Sequence, residues 1–320
     1  MNPSHHVRRA EISGGSRQQA EGGSRSTKLW AAGCGRGARS LVSRVLLFPV
    51  FCLLICFTSV VFAQTQAQTQ PPKEPFQPSV GQAGKDVVWV PTPQAVVDKM
   101  LDLAKLTPQD YVMDLGSGDG RTVITAAKRG ARAVGIEYNP DMVELSRRNA
   151  ANEGVTARAA FTQADLFETD FSQATVITMF LLPDINLRLR PTILDLKPGT
   201  RIVSNTFDME EWVADEKETV TDGCTSWCTA LLWIVPAKVG GTWRLPQGQL
   251  TFNQGFQEIS GTLESGGNST SISNGRLRGD QISFTAGDAQ YTGRVVGNTI
   301  EGTVTSGAAN RKWSATRGDP

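Results

Sequence analysis

The chain has 320 residues, of which 39% are hydrophobic, and a net charge of +1 at pH 7, which is ordinary for a globular protein of one or two domains. Residues 1–44 hold eight Lys or Arg against two Glu, so the remainder carries 24 basic and 29 acidic residues, a mildly acidic body that does not favour a nucleic-acid partner. Both histidines, His5 and His6, lie in that basic leader, which excludes histidine-based triads and histidine-ligated metal sites from the rest, and we predict no metal.

The N-terminal 63 residues read as a targeting segment. Val45–Ala63 is a mainly apolar run of nineteen residues that follows Arg44 and ends in V-F-A before a Gln- and Pro-rich tract. This order is typical of a signal peptide, cleaved here before Gln64. The length also allows a membrane anchor, and a buried helix is the third alternative. We therefore expect a protein that is membrane-associated or exported (periplasmic), on a side of the membrane that the sequence leaves open.

Residues 64–85 have the composition of a disordered linker, and residues 86–238 alternate short Val- and Ile-rich runs with amphipathic segments. Such alternation predicts an α/β sheet. The predicted strands are 111–116, 133–138, 159–161, 174–182 and 201–207, with a further pair near 219–223 and 229–235, and the predicted helices are 93–106, 121–130, 139–154 and 185–196.

Residues 239–320 have a different pattern: apolar and polar residues alternate, glycines mark the turns, and the segments ISGTL, YTGRV and IEGTV resemble one another. This pattern predicts a small antiparallel all-β domain, of which a partial barrel is one form. No group of its residues has the pattern of a catalytic or ligand-binding site, so we interpret this domain as a stabilising or docking module.

The stretch VMDLGSGDGRTV, residues 112–123, runs from a strand through three glycines into a helix. Such a turn lets backbone amides approach a ligand. The spacing D-x-G-x-G-x-G places Asp114 before Gly116, Gly118 and Gly120, unlike the dinucleotide pattern G-x-G-x-x-G. A carboxylate before the first glycine repels a pyrophosphate but suits an ammonium group.

Two further acids end the next two predicted strands. Glu137 can accept both hydroxyls of a ribose, and Asp165 can accept from an adenine amino group. Either residue alone is as readily an ordinary acid at a strand end. Together with Asp114 they match a ligand with adenine, ribose, an amino-acid head and no phosphate, so we predict S-adenosylmethionine as the cofactor.

Over residues 88–236 the chain resembles the class I (seven-β-strand) S-adenosylmethionine-dependent methyltransferases. The resemblance is carried by VPTPQAVVDKML, DLGSGDGR, GIEYNPDMVELSR, and FLLPDINLRLRP with LKPGTRIVSNTFDMEEW. Within that class it is similar to the protein-lysine N-methyltransferase family that includes the ATP synthase c-subunit and adenine nucleotide translocase enzymes. The resemblance implies a Rossmann-like seven-strand sheet and a protein lysine as acceptor, a membrane protein being one candidate.

Methyl transfer from a sulfonium is an in-line displacement, which requires alignment and exclusion of water. A lysine must be neutral to attack, so an apolar or aromatic channel that lowers its pKa is expected. The candidate catalytic residues follow predicted strands four and five: Phe180 and Phe207 as channel walls, with Asp184 and Asn205 as polar groups. For Asp184, a structural role as a helix N-cap is an equally good interpretation. A phenylalanine such as Phe180 more often belongs to the hydrophobic core than to a substrate channel.

Pro91-Thr92-Pro93 is predicted to form a stiff lid over the donor, with Thr92 near the cofactor; a helix lead-in is the alternative. The signature [DN]-P-P-[YF] is absent and L-P-D stands in its place, which disfavours methylation of nucleic-acid bases. Two other functions stay open: a methyltransferase for a small molecule or lipid, and an exported non-catalytic binding protein on the same fold.

Cys224 and Cys228 lie four residues apart in GCTSWC. We expect two unpaired thiols, because spacing alone does not establish disulfide geometry. A disulfide is the alternative for a domain outside the cytoplasm.

Overall fold

The computed structural model of the protein describes residues 75–317. The predicted leader, including Val45–Ala63, and the first eleven residues of the predicted linker lie outside the described residues. Within residues 75–317, no helix is both long and apolar enough to cross a membrane.

The first part of the described chain is an α/β domain. Its elements are α1 Gln94–Leu103, β1 Tyr111–Leu115, α2 Arg121–Lys128, β2 Arg132–Glu137, α3 Pro140–Asn152, β3 Ala159–Gln163, β4 Val176–Met179, α4 Pro183–Leu194, β5 Arg201–Asn205, β6 Glu216–Thr219 and β7 Thr229–Ile234. The strands form one seven-stranded sheet in the order β3-β2-β1-β4-β5-β7-β6. β1 to β5 are parallel, and β7 is antiparallel to both of its neighbours. The predicted Rossmann-like seven-strand sheet is confirmed.

The central strands are buried on both faces because two apolar clusters sandwich the sheet. Helix α3 shows how the sequence sets local structure. The Asn139 side chain accepts from the Asp141 amide at 2.9 Å, and Pro140 occupies the first turn, as an N-cap followed by proline predicts. Gly154 follows the helix with φ of 68°, a conformation that glycine adopts without steric cost.

Several predicted boundaries differ from the structure; the strand predicted near 219–223, for example, is Glu216–Thr219. Two of the differences bear on the candidate site. The strand predicted over 174–182 is limited to Val176–Met179, and α4 begins at Pro183, two residues earlier than predicted. Proline is favoured in the first turn of a helix, so Pro183 starts α4 and residues 180–182 form the turn between strand and helix. That turn carries residues of the candidate site.

The C-terminal part is a closed barrel of eight antiparallel strands, which confirms the predicted small all-β domain. Its strands are β8 Gly241–Leu245, β9 Gly248–Gly255, β10 Glu258–Ser265, β11 Asn268–Arg278, β12 Gln281–Ala286, β13 Ala289–Val296, β14 Thr299–Ser306 and β15 Ala309–Thr316. Aromatic and aliphatic side chains fill its core. In two of the similar segments, ISGTL and IEGTV, the glycine allows the backbones of neighbouring strands to approach closely. A Cβ at Gly261 or Gly302 would lie 1.8 Å from a carbonyl oxygen of the neighbouring strand.

The barrel is tied to the sheet beside the edge strand β6. Arg276 forms an ion pair of 2.7 Å with Asp215, whose side chain is fully buried. Gln257 donates to the Val213 carbonyl at 2.7 Å, and the Phe256 ring stacks on Trp212 at 6.0 Å. The barrel therefore contacts the sheet through the segment leading into β6.

Candidate functional site

A cavity of about 210 Å³ lies at the carboxyl ends of β1, β2 and β4. This edge of a parallel α/β sheet is where such folds bind ligands. The residues that line the cavity come mainly from the glycine loop after β1, the segment 82–92 before α1 and the turns after β2, β3, β4 and β5, with Trp227 from the loop before β7.

The glycine loop has the backbone conformation that its spacing predicts. Gly116, Gly118 and Gly120 have φ of 77°, 54° and 83°, a region open to glycine and costly for other residues. Gly116 and Gly118 line the cavity, and a Cβ at Gly118 would lie 2.6 Å from Nε1 of Trp89. Gly120 lies behind the loop, where a Cβ would meet the Phe161 ring at 2.8 Å, so it permits close packing.

Asp114 is 6% exposed and lines the cavity. The Thr178 hydroxyl donates to its carboxylate at 2.6 Å. Burial, together with the nearby carboxylates of Asp119 and Glu137, raises the pKa of Asp114 to about 7, against the lowering effect of the Thr178 hydrogen bond. A buried carboxylate held this way is stabilised by a cation placed beside it.

Both oxygens of Glu137 hold backbone amides. Oε2 accepts from the Gly118 amide and Oε1 from the Asn139 amide, each at 2.9 Å. Glu137 thereby connects the glycine loop to the start of α3. Because each carboxylate oxygen accepts more than one hydrogen bond, Glu137 retains capacity for the hydroxyls of a ligand in the cavity.

Asp165 follows β3 and contacts the Lys85 ammonium. This hydrogen bond and charge lower the pKa of Asp165. The same ammonium lies 5.0 Å from the centre of the Tyr138 ring. A ligand amino group that binds Asp165 would replace Lys85 there.

The segment 82–92 passes over the glycine loop as a strap. Trp89 donates its amide to the Gln82 carbonyl at 2.9 Å, and the strap is anchored at its end where Arg121 donates to the Thr92 carbonyl at 2.9 Å. Thr92 is buried and lines the cavity. Pro93 is the N-cap of α1, as the alternative of a helix lead-in expects. A role of Pro91-Thr92-Pro93 as a lid over the donor stays a prediction.

Three aromatic rings also line the cavity. The Phe180 and Phe207 rings stack with centres 5.8 Å apart and planes at 17°, and the Trp227 ring lies 6.1 Å from Phe180. The Phe207 carbonyl is fixed by the Ser204 hydroxyl at 2.7 Å and the Asn186 amide at 3.2 Å. We call Phe180, Phe207 and Trp227 the aromatic wall.

The structure does not bring Asp184 and Asn205 to the cavity wall. Asp184 is exposed in the first turn of α4, whose N-cap is Leu182, so the alternative of an Asp184 N-cap is wrong. Asn205 is buried at the end of β5, where its Oδ1 accepts from the Thr206 hydroxyl at 2.9 Å. A catalytic part for either residue stays a prediction.

Cys224 and Cys228 form a disulfide bond, with Cα atoms 5.7 Å apart. The expectation of two free thiols was wrong. Cys224 lies in the middle of the loop between β6 and β7, and Cys228 lies at its end, directly before β7. A short chain reversal brings them within bonding distance.

The family model described as ANTKMT methyltransferase domain matches residues 114–216. The protein-lysine N-methyltransferase of Saccharolobus islandicus is 46% identical over 140 residues, which are 43% of this chain and 87% of that protein. The chain belongs to this protein-lysine N-methyltransferase family. The match runs through the glycine loop, and the predicted resemblance is confirmed.

Two more similarities cover less of the proteins concerned. The human lysine N-methyltransferase of the ATP synthase c-subunit is 40% identical over 105 residues, 32% of this chain and 45% of that protein, so this chain spans about half its length. A crystal structure of an RNA methyltransferase from Salinibacter ruber with S-adenosyl-L-homocysteine is 47% identical, covering 47% of this chain and 96% of that one, with a TM-score of 0.44.

This family member is an S-adenosylmethionine-dependent methyltransferase, as predicted, and the cavity fits that cofactor. Asp114 is a buried carboxylate suited to the amino-acid ammonium, and Glu137 lines the same cavity. Gly118 also lines it, at a position where the Trp89 ring leaves no room for a Cβ. The sequence missed Trp227, Lys85 and Trp89 as lining residues, because their positions depend on chain reversals outside the strand ends.

Proposed function

We propose that the enzyme transfers a methyl group to the side-chain amine of a lysine in a protein. The observation that carries this proposal is the aromatic wall, which lies in the same cavity as the three acids Asp114, Glu137 and Asp165. The acids suit the cofactor, and the aromatic rings suit a long aliphatic side chain with an amine at its tip.

The cofactor supplies an activated methyl group on a sulfonium. Phe180 and Phe207 surround the acceptor with apolar surface, which lowers the pKa of the lysine and favours the neutral amine that attacks. In the transfer, a nitrogen–carbon bond forms as the carbon–sulfur bond breaks, and the proton on nitrogen passes to water. The methylated ammonium then lies against ring faces, an interaction worth about 0.5–2 kcal/mol.

The names of three relatives support a protein acceptor. They are described as acting on protein lysine, on the ATP synthase c-subunit and on adenine nucleotide translocase. Small-molecule and lipid acceptors share the donor chemistry and are the alternatives. The site residues argue against a non-catalytic protein, because a scaffold has no use for a buried Asp114 with a raised pKa.

The test is incubation of the full chain with S-adenosylmethionine labelled in the methyl group and a protein extract, a lipid extract and RNA in separate reactions. We expect label only in protein, recovered as methylated lysine after acid hydrolysis and mass spectrometry. The Glu137→Ala variant is the negative control. Label in lipid or RNA, with none in protein, would contradict the proposal.

We further propose that Val45–Ala63 brings the enzyme to a membrane, as a signal peptide or as an anchor, and that its acceptor is a membrane protein. The apolar composition of that run supports this. The Cys224–Cys228 bond gives independent support, because disulfides persist in oxidising compartments. Catalysis on the exported side then requires a supply of the methyl donor there.

Alkaline phosphatase fused after residue 85 tests this placement, since that reporter is active only where its disulfides form. We expect activity from the fusion and none when residues 45–63 are deleted. An inactive, uncleaved fusion that fractionates with soluble proteins would count against both the membrane attachment and the export.

A further inference from the structure

The loop between β6 and β7 presents a tryptophan to the acceptor end of the cavity. Trp227 lines the cavity, is 43% exposed, and lies directly before Cys228 of the disulfide. The Cys228 carbonyl accepts from the Val220 amide at 2.8 Å, and that of its neighbour Thr229 accepts from the Thr206 amide at 2.7 Å. The disulfide loop is therefore connected to the turn that carries Phe207.

Trp227 has a backbone φ of 53°. A bulky residue in this left-handed region is rare and costs about 1–2 kcal/mol, so it persists only where its surroundings impose it. Residues 225–227 are all exposed, so packing inside the loop contributes little. The loop is held at its two cysteines: Cys224 packs against the core, the Cys228 carbonyl accepts from the Val220 amide, and the covalent bond between the cysteines encloses Trp227.

We propose that Trp227 is a specificity-determining residue for the acceptor amine and that the Cys224–Cys228 disulfide positions its ring. This proposal rests on the proposed lysine methylation. Phe180 and Phe207 stack nearly parallel, whereas Trp227 is tilted at 59° to Phe180. A ring from a third direction gives the methylated ammonium a second aromatic surface, and tryptophan provides the strongest cation–π interaction among the side chains.

The chemistry of the acceptor decides what this ring recognises. Each added methyl group removes a hydrogen-bond donor but keeps the positive charge, so an aromatic surface binds the methylated amine without unsatisfied donors. Reduction by a dithiol breaks the S–S bond: two electrons and two protons form two thiols, and the dithiol becomes a cyclic disulfide. The reduced loop no longer imposes the left-handed conformation on Trp227, so the affinity of the site for a cation falls.

The test measures binding rather than turnover. Full-length protein with Cys34, Cys52 and Cys56 replaced by serine is saturated with S-adenosyl-L-homocysteine and titrated calorimetrically with Nα-acetyl-trimethyllysine amide. Its neutral tert-butyl isostere is the second probe. We expect the oxidised protein to prefer the cation, Trp227→Ala to weaken cation binding about 5- to 10-fold, and Trp227→Phe to retain most of it.

The disulfide is tested in the same assay. Treatment with dithiothreitol, or the double substitution Cys224→Ser and Cys228→Ser, is expected to weaken cation binding as Trp227→Ala does. Dithiothreitol is expected to leave the cation affinity of the double serine variant unchanged. Thr225→Ala, an exposed change in the same loop, is the matched control with unchanged affinity. S-adenosyl-L-homocysteine affinity, measured for every variant, verifies that the donor site is folded.

Equal cation affinity in Trp227→Ala and the parent protein would overturn the role of the ring. If dithiothreitol left the cation affinity of the parent protein unchanged, that result would overturn the role of the disulfide. Either result, beside methylated lysine in the protein-extract assay, leaves the proposed function standing. An oxidised protein that binds S-adenosyl-L-homocysteine but neither probe, and methylates no lysine, overturns the proposed function and this inference together.

Discussion

Glu137→Ala is expected to lower the affinity for S-adenosylmethionine by at least about 100-fold. Hydrogen bonds to a charged group are each worth about 1.5–3 kcal/mol, and about 2.7 kcal/mol corresponds to 100-fold. Removing the carboxylate deletes the proposed ribose contacts. It also frees the Gly118 and Asn139 amides, which Glu137 now holds at 2.9 Å, so the glycine loop loses its anchor as well.

Calorimetric titration of the full chain with S-adenosylmethionine and with S-adenosyl-L-homocysteine measures this effect. Glu144→Ala is the matched control, because Glu144 lies on the exposed surface of α3, with 58% of its side chain accessible. Glu137→Gln separates the two losses, since an amide oxygen still accepts one backbone amide. Wild-type affinity in a folded Glu137→Ala protein would mean that the donor lies elsewhere.

The donor half of the site was predictable because it lies at strand ends. In a parallel sheet the carboxyl ends of all strands meet at one edge, so Asp114, Glu137 and Asp165 converge once the strand order is known. The spacing of the glycines predicted the backbone conformation of the loop, and all three glycines have the positive φ that this loop requires.

The acceptor half was less predictable because it depends on turns. Phe180 and Phe207 follow the carboxyl ends of β4 and β5, and both line the cavity as predicted. Asp184 lies outside the cavity because Pro183 starts α4 earlier than expected, which turns the acid to the surface. Trp227 comes from an antiparallel hairpin whose loop conformation depends on a disulfide, and no periodicity in the sequence encodes that pairing.

Asp114→Asn is expected to stabilise the cofactor-free protein at neutral pH while weakening cofactor binding about 100-fold. Burial raises the folded-state pKa of Asp114 to about 7 from 3.8. Its contribution to the free energy of unfolding is therefore fully present below pH 3.8 and is lost as pH rises to 7, by up to about 1.4 kcal/mol per pH unit. Asparagine is neutral throughout and still accepts from Thr178, so the thermal stability of the variant should exceed that of the wild type increasingly between about pH 5 and 7.

The same carboxylate makes cofactor binding depend on pH in the opposite direction. The cofactor's ammonium requires ionised Asp114, so wild-type affinity should fall by up to about tenfold per unit as pH decreases below about 7. An α-amino group titrates near pH 7.7–8.0, so titrations between about pH 5.5 and 7.5 isolate the effect of Asp114. Asp114→Asn should bind weakly with a flat profile, since a neutral amide cannot replace a buried charge pair worth about 2–5 kcal/mol. A wild-type profile that is equally flat would show that Asp114 stays ionised in the free protein, and the ammonium would then need another partner.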